Sequence, residues 1–255
     1  MYRTNSNDGI AWVTGASTGI GKETVLELIK SGYTVAVSSR DKQKLNELAN
    51  LHEKIFVFPC DVTDNEQVRI TIDEIEKFGP INFAFLNAGG FFSSNSNMLG
   101  SDFKDTMNLN LNGTINCLEH IIPKMMNRKK GHIAVMSSVS GYCSLPFFSD
   151  GYVLSKSTLI RLCEIIKPKL NHKNIRIQVI CPSFINTDLL SKKVFNMPFM
   201  VDVDKAAKII VKGFKSGEFE IFFPKITGYW LKFINIMPYP IFFLLNRITM
   251  FFIRK

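Results

Sequence analysis

The sequence predicts an α/β fold: a doubly wound parallel sheet with helices on both faces and extra apolar helices at the C-terminus. Two features support this prediction. Short apolar runs alternate along the chain with longer segments of helical period, and each run is continuously apolar, as in strands buried on both faces. The chain has 255 residues, of which 46% are hydrophobic, so it can bury one large core.

Seven apolar runs are predicted as strands: 10–13, 34–38, 55–58, 83–86, 133–136, 175–180 and 218–223. Helical segments lie between them, and two have clear ends. The segment 22–30 stops before Gly32, and a later one starts at Asp64, which forms a capping box with Gln67, and closes at Gly79. Because parallel neighbours need crossover connections, this order predicts a parallel sheet whose ligand binds beyond the carboxyl ends of the strands.

Two further helices are predicted from apolar residues spaced three and four apart. Their members are Met107, Leu111, Ile115, Leu118 and Ile122 in one helix, and Leu159, Leu162, Cys163 and Ile166 in the other.

Charge and cysteine content exclude several classes of protein. The composition rules out a disordered, collagen-like or coiled-coil chain. Five cysteines without a CxxC pair argue against disulfides and a zinc site, and the four histidines are too scattered for metal ligands, so no metal is expected. A cytoplasmic, reduced setting follows. The net charge is +9, but five basic residues lie in the acid-free segment 221–255, so no nucleic-acid partner is expected.

A glycine-rich turn follows the first predicted strand and leads into a helix. Glycines let the backbone turn sharply and approach a ligand closely, and the free N–H groups of the following helix suit a pyrophosphate. An ordinary tight turn is the alternative, but the position after a first strand favours a Rossmann-type dinucleotide site. The candidate cofactor-binding residues here are Gly15, Ser17, Thr18, Gly19, Ile20 and Gly21.

The end of the second strand is expected to face the adenosine ribose of that dinucleotide. It carries Ser39 and Arg40 and no terminal acid. A carboxylate would bind a free 2′-hydroxyl, whereas a serine and a guanidinium suit a 2′-phosphate, so NADP is preferred over NAD. Asp41, one residue further, keeps NAD possible, and Arg40 as a solvated loop residue is the alternative.

Seven motifs in order now make the chain resemble the short-chain dehydrogenase/reductase family over residues 10 to about 190. They are TGxxxGxG at Thr14 to Gly21, the acid Asp61 before Val62, Asn87-Ala88-Gly89, Asn110 before Leu111, Ser138 after Ser137, YxxxK at Tyr152 to Lys156, and Pro182 to Thr187, where Ser183 replaces the usual glycine. The order of the motifs makes the resemblance specific, since any one of them is weak alone.

The resemblance implies an oxidoreductase that transfers a hydride between a nicotinamide cofactor and a carbonyl or alcohol, and a homo-oligomer. It also implies further cofactor contacts, at Asp61, Val62, Asn87, Ala88, Gly89, Tyr152, Lys156, Pro182, Ile185 and Thr187. Ser183 raises a question about the local backbone if that position needs a positive φ.

The residue types fit the chemistry, because reducing a ketone by hydride requires a proton for the developing alkoxide. Tyr152 is the candidate general acid/base, and Lys156, one helical turn later, is expected to lower its pKa. Ser138 would hold the substrate oxygen. Asn110, by resemblance, would hold a water that links Lys156 to solvent. Tyr142 is a rival, but it has no lysine four residues later.

The substrate end is predicted to be apolar. We expect one catalytic domain over 1–223, with a mostly apolar lid at about 188–215, and Leu145, Phe147 and Phe148 on another loop. Few polar groups are available there, which favours an apolar, lipid-like carbonyl substrate over a sugar or an acid. The alternative is that these residues simply pack against the sheet.

The extension over 224–255 is predicted to form two aromatic helices, 226–237 and 241–253. Apolar helices with only basic charges fit peripheral contact with a membrane, and an oligomer contact or a cover on the active site is the competing interpretation. Two hypotheses without turnover compete with the enzyme: a redox sensor that binds the nucleotide, and a membrane-docking scaffold.

Overall fold

A computed structural model describes residues 2, 4–92, 99–145, 150–186 and 200–253, with side chains to residue 249. Seven parallel strands form the main sheet in the order β3-β2-β1-β4-β5-β6-β9, and β7 and β8 form a separate parallel pair. The strands are β1 (Ile10–Thr14), β2 (Thr34–Ser38), β3 (Ile55–Val57), β4 (Ile81–Leu86), β5 (Gly131–Met136), β6 (Ile175–Pro182), β7 (Ile185–Asn186), β8 (Val201–Asp202) and β9 (Glu220–Phe223). The predicted doubly wound parallel sheet with flanking helices is confirmed.

Helices cover both faces of the sheet because successive strand residues alternate between two buried layers. The helices are α1 (Gly19–Lys30), α2 (Lys42–Ala49), α3 (Asn65–Phe78), α4 (Ser101–Met107), α5 (Gly113–Arg128), α6 (Asp150–Asn171), α7 (Val203–Phe214), α8 (Lys225–Asn235) and α9 (Tyr239–Ile253). Apolar residues of α3, α5, α6 and α8 form one core layer, and those of α1, α2 and α7 form the other.

Local signals in the sequence set several element ends. Asp64 caps α3 by accepting the backbone N–H of Gln67 at 3.0 Å, as predicted, and Gly79 follows the last residue of that helix. Gly32, with φ of 87°, follows the end of α1 in the left-handed conformation that glycine tolerates.

The stripe predicted from Met107 to Ile122 departs from a regular α-helix. Residues Asn108–Asn112 form a π-helical segment between α4 and α5. Such a segment inserts an extra residue into the turn and is frequent at functional sites.

Only the later part of the predicted lid, 188–215, belongs to the described residues. Residues 188–199 lie outside the described residues, as do Phe147 and Phe148. The later part of the range forms α7, whose Ile210 and Phe214 are buried against the sheet. Leu145 is also buried in the core.

The order of strands places the ligand edge. Neighbours β1 and β4 start the two halves of the sheet, and the chain leaves them in opposite directions, so a crevice forms at their carboxyl ends. Within the described residues, none of the helices has both the length and the hydropathy needed to cross a membrane.

Candidate active site

The glycine-rich turn after β1 packs directly against the loop that follows β4. The Thr14 hydroxyl accepts hydrogen bonds from the backbone N–H groups of Asn87 at 3.0 Å and Ala88 at 3.1 Å. Asn87 in turn donates its side-chain amide to the carbonyl of Gly15 at 3.1 Å. Gly15 has φ of 64°, and a Cβ there would lie 2.7 Å from Cα of Ala88. The turn therefore requires glycine, and Asn87 serves as a brace between the two loops.

The N-terminus of α1 fits a phosphate group. Thr18 is the N-cap residue, its side chain makes no capping hydrogen bond, and the first turn carries no acidic residue. The first N–H groups of a helix attract anions, and here no side chain of the helix competes for them. Gly19, with φ of 55°, opens this turn. The residues present thus fit the pyrophosphate of a dinucleotide.

The end of β2 lies beside the glycine turn, because the backbone N–H of Ala16 donates to the carbonyl of Ser38 at 3.1 Å. Ser39 is half-buried and Arg40 is exposed. The nearby carboxylate of Asp41 accepts the backbone N–H of Lys44 at 3.0 Å as the N-cap of α2. These bonds to Lys44 lower the pKa of Asp41, so its carboxylate is held by the helix.

Asp61, the candidate residue on the adenine side, has its carboxylate fixed by its own turn. Its Oδ1 accepts the backbone N–H of Thr63 at 2.9 Å and the Thr63 hydroxyl at 2.8 Å. The neighbouring Val62 is buried, and a Cβ on Gly113 would lie 2.7 Å from its Cγ2. The position after β3 is therefore rigid.

Ser138, Tyr152 and Lys156 come together beyond the carboxyl end of β5. Ser138 follows β5, and Tyr152 and Lys156 lie in the first two turns of α6. The Lys156 ammonium donates to the carbonyl of Met136 at 3.0 Å and lies 5.5 Å from the centre of the Tyr152 ring. It would also lie 3.2 Å from a Cβ on Gly89, so the lysine reaches the loop after β4.

The electrostatics of this group differ from the expectation. Burial raises the pKa of Tyr152, and a hydrogen bond with the Ser138 side chain opposes that rise. Burial also lowers the pKa of Lys156 to about 8. Desolvation acts on both groups because each charged form loses its water, and it acts in opposite directions on an acid and a base. Tyr152 is consequently a phenol, with its proton available, near neutral pH.

Asn110 lies in the π-helical segment and is fully buried. Its Oδ1 accepts the N–H of Gly90 at 2.8 Å, and its Nδ2 donates to the carbonyl of Gly90 at 2.9 Å and to the Ser155 hydroxyl at 3.0 Å. Ser155 donates to the carbonyl of Tyr152 at 2.8 Å. The side chain of Asn110 thus ties the loop after β4 to the first turn of α6, and both hydrogens of its amide are used in these contacts.

Two contacts of the site were not predicted from the sequence. The ring of Phe91 lies edge-on against Tyr152, with 6.2 Å between the ring centres. Ser137 donates its hydroxyl to the carbonyl of Lys156 at 2.7 Å and so anchors α6 to the end of β5. Ser137 and Ser155 lie inside the sequence motifs, so their positions could have indicated a role in the site. No spacing rule indicates Phe91.

The rival Tyr142 belongs to the turn that holds Ser138 but is a packing residue. It lies after the 3₁₀ segment Val139–Gly141, its ring is buried, and burial strongly raises its pKa. The ammonium of Lys232 in α8 lies over the ring at 4.6 Å from its centre. Burial, with Cys181 and the Glu220 carboxylate adding to it, disfavours the phenolate that proton exchange would require.

The last motif is described only in part. Pro182 ends β6 and its carbonyl accepts the Ser138 hydroxyl at 3.4 Å, and Ile185 is buried in the short strand β7. The backbone N–H of Ser183 donates to the carbonyl of Phe223 at 2.9 Å. The φ angle of Ser183 is not positive. The serine therefore causes no left-handed strain. Thr187 lies outside the described residues.

Comparisons with known proteins agree with this geometry. The family model for short chain dehydrogenases matches residues 9–197. An uncharacterised oxidoreductase of Myxococcus xanthus is 27% identical over 94% of this chain and 95% of that protein. A 3-oxoacyl-[acyl-carrier-protein] reductase of Thermotoga maritima is 30% identical over 72% of this chain and 76% of its own length.

The fold is likewise shared with solved structures. A short chain dehydrogenase from Burkholderia cenocepacia, solved in complex with NADP, superimposes with a TM-score of 0.79 at 20% identity, over 91% of this chain and 95% of that one. On the family match, the relatives and the fold together, the chain belongs to the short-chain dehydrogenase/reductase family of NAD(P)-binding oxidoreductases.

Proposed function

We propose that the protein is an NADP-dependent carbonyl reductase or alcohol dehydrogenase that acts on an apolar, lipid-like substrate. One observation supports this proposal above all: Ser138, Tyr152 and Lys156 lie close together at the carboxyl ends of the strands, where the glycine-rich turn also lies. A protein that only senses the nucleotide has no need of a buried phenol beside a serine and an ammonium.

The residues of the chain handle the proton in this scheme. The nicotinamide supplies or accepts the hydride when the cofactor is bound. Ser138 donates a hydrogen bond to the substrate oxygen and orients it. Tyr152 gives its proton to that oxygen as negative charge develops, or removes the proton from an alcohol in the reverse direction. Lys156, held by the carbonyl of Met136, places positive charge near the phenolate that forms.

The preference for NADP rests on the end of β2. Asp41 caps α2 through the N–H of Lys44, so its carboxylate is committed to the helix. Ser39 and the exposed Arg40 are the side chains next in line at the carboxyl end of this strand. A guanidinium and a hydroxyl favour a 2′-phosphate, whereas a free carboxylate would favour the 2′-hydroxyl of NAD.

We expect Arg40→Ala to lower kcat/KM for NADPH by about 10- to 100-fold, because a charge-assisted hydrogen bond contributes roughly 1.5–3 kcal/mol. The value for NADH should change less than twofold. Steady-state kinetics with both cofactors and one ketone measure this, and Lys42→Ala, on the first residue of α2, is the control. A wild-type preference for NADH, or an equal loss with both cofactors, contradicts the assignment.

An apolar substrate is supported by Phe91, whose ring lies against Tyr152. Aromatic walls favour apolar ligands, and the candidate loops carry few polar groups. A homo-oligomer is also proposed, since Leu154 and Ile165 of α6 are exposed apolar residues on one helix. The extension over 224–255 is proposed as a peripheral membrane contact.

A further inference from the structure

The C-terminal helix α8 has two apolar faces. One face packs on the body of the protein: Leu231 and Ile234 are buried, and a Cβ on Gly228 would collide with the ring of Phe222. The other face is open. Its members recur at helical steps of three and four, with exposed fractions of 64% for Ile226, 62% for Tyr229, 58% for Trp230 and 57% for Phe233. A helix that is apolar on all sides is normally buried, so we expect another molecule to cover the exposed face of α8.

The helix that follows α8 also carries exposed apolar residues. Helix α9 exposes Ile241, Leu244 and Ile248 on one face, and the rings of Tyr239 and Phe243 stack at 6.0 Å in exposed positions. The neighbouring Phe242 is partly buried and packs against the core. We use the name outer surface for the exposed apolar face of α8, which consists of Ile226, Tyr229, Trp230 and Phe233.

The orientation of α8 is fixed by a polar contact. Lys232 forms an ion pair with Glu220 at the start of β9, and its ammonium lies 4.6 Å from the ring centre of Tyr142 and 4.5 Å from that of Phe222. Its charge is therefore used within the protein. A cation held between two rings and a carboxylate keeps the same side of α8 turned inward, so the outer surface stays outward.

The charge of the C-terminal segment favours one kind of binding partner for the outer surface. Segment 221–255 has no acidic residue, and apart from Lys232 it carries Lys225, Arg247, Arg254 and Lys255. An anionic lipid surface complements this charge, whereas a second copy of the same surface would bring like charges together. Trp230, Tyr229 and Tyr239 are amphipathic side chains of the kind that settle at the boundary between headgroups and acyl chains.

The outer surface starts at the edge of the sheet that carries the catalytic residues. Strand β9 runs parallel to β6, and its last residue, Phe223, pairs with Pro182, whose carbonyl accepts the hydroxyl of Ser138. Helix α8 begins two residues after Phe223. We propose that the outer surface docks on an anionic bilayer and that the docked enzyme takes its apolar carbonyl substrate from that bilayer. The docking is independent of the reaction, but the delivery of substrate rests on the proposed function.

The test compares the full-length wild type with Trp230→Ser/Phe233→Ser. The control is Leu51→Ser/Phe78→Ser, which removes two residues of similar exposure elsewhere, 59% and 67%. Binding is measured by cosedimentation with phosphatidylcholine vesicles, with and without phosphatidylserine. We expect binding that needs phosphatidylserine and weakens with salt, an affinity loss of about 10- to 100-fold in the Trp230/Phe233 variant, and no loss in the control. Equal binding by both variants would overturn the docking surface.

Two further readouts separate the possible failures. Turnover of a long-chain ketone placed in vesicles should fall in the Trp230/Phe233 variant, while turnover of a short water-soluble ketone should stay unchanged. An equal fall with both ketones would overturn delivery from the bilayer. Sedimentation of the lipid-free protein tests whether a second copy covers the outer surface. If wild type and the control are oligomers and only the Trp230/Phe233 variant is a monomer, the lipid assignment is overturned. If wild type binds vesicles but reduces no ketone, the proposed function fails and the docking surface stands.

Discussion

At the scale of single residues, the proposed chemistry depends on two buried ionisable groups, Tyr152 and Lys156. Sequence spacing predicts that Lys156 lies one turn from Tyr152, and the structure places its ammonium 5.5 Å from the ring centre. Spacing does not reveal burial, which raises the pKa of the tyrosine and lowers that of the lysine. Burial of the Lys156 ammonium therefore lowers the stability of the folded state.

We expect Lys156→Met to melt at a higher temperature than wild type at pH 7. Burial lowers the pKa of Lys156 from 10.5 to about 8, so below pH 8 the folded state carries the whole penalty, roughly 3 kcal/mol by linkage. The penalty fades as the pH rises from 8 to 10.5, and the gap in Tm should close over that window. Calorimetry from pH 6 to 10 measures it.

A Lys156→Met variant that is less stable than wild type at pH 7, or a gap in Tm that does not depend on pH, contradicts this account of burial. Ketone reduction by the same variant should fall sharply, which separates a catalytic role from a purely structural one.

At the scale of elements, the sequence predicts the seven strands of the main sheet and the main helix ends well, because continuous apolar runs and glycine stops are local signals. It does not predict the short strands β7 and β8. It misses the π-helical segment Asn108–Asn112, since one extra residue in a turn leaves the steps of three and four almost unchanged. It also gives no sign that Lys232 is paired within the protein. The partner Glu220 and the ring of Tyr142 reach that lysine only through tertiary packing.

The contact between the glycine turn and the β4 loop leads to a prediction for α1. A Cβ on Gly21 would collide with the carbonyl oxygen of Gly15 and lie 2.6 Å from Nδ2 of Asn87. We expect Gly21→Ala to lower stability by about 1–3 kcal/mol and to weaken NADPH binding, because α1 must shift away from the phosphate position. Gly217→Ala, where a Cβ meets open space, is the control. Unchanged denaturation and cofactor titrations for Gly21→Ala would count against this packing.

At the scale of the whole molecule, a buried polar cluster lies at the opposite edge of the sheet from the site. His132 in β5 forms a hydrogen bond with Gln178 at 2.8 Å. Arg176 donates to the carbonyl of Phe214, the last residue of α7, and Gln178 donates to the carbonyl of Glu218. Burial lowers the pKa of His132 to about 3, with Arg176 contributing. The sequence shows His132 only as a scattered histidine, because its partners come from other elements.

This cluster predicts sensitivity of the whole fold to acid. Below pH 6.5 the unfolded His132 binds a proton and the folded one does not until about pH 3, so stability falls by up to about 1.4 kcal/mol per pH unit as the pH drops. His132→Phe should flatten the pH dependence of unfolding between pH 6.5 and 4. The exposed His172→Phe is the control. Parallel curves for wild type and His132→Phe would disprove the link.

The central claim is that the phenol of Tyr152 exchanges the proton that accompanies hydride transfer. The most direct measurement compares single-turnover ketone reduction by wild type and Tyr152→Phe at saturating NADPH, together with NADPH binding by fluorescence titration. We expect the rate of the chemical step to fall by about 100-fold or more, while the dissociation constant for NADPH changes only a few fold. A Tyr152→Phe variant that binds NADPH and reduces the ketone at the wild-type rate would contradict the claim.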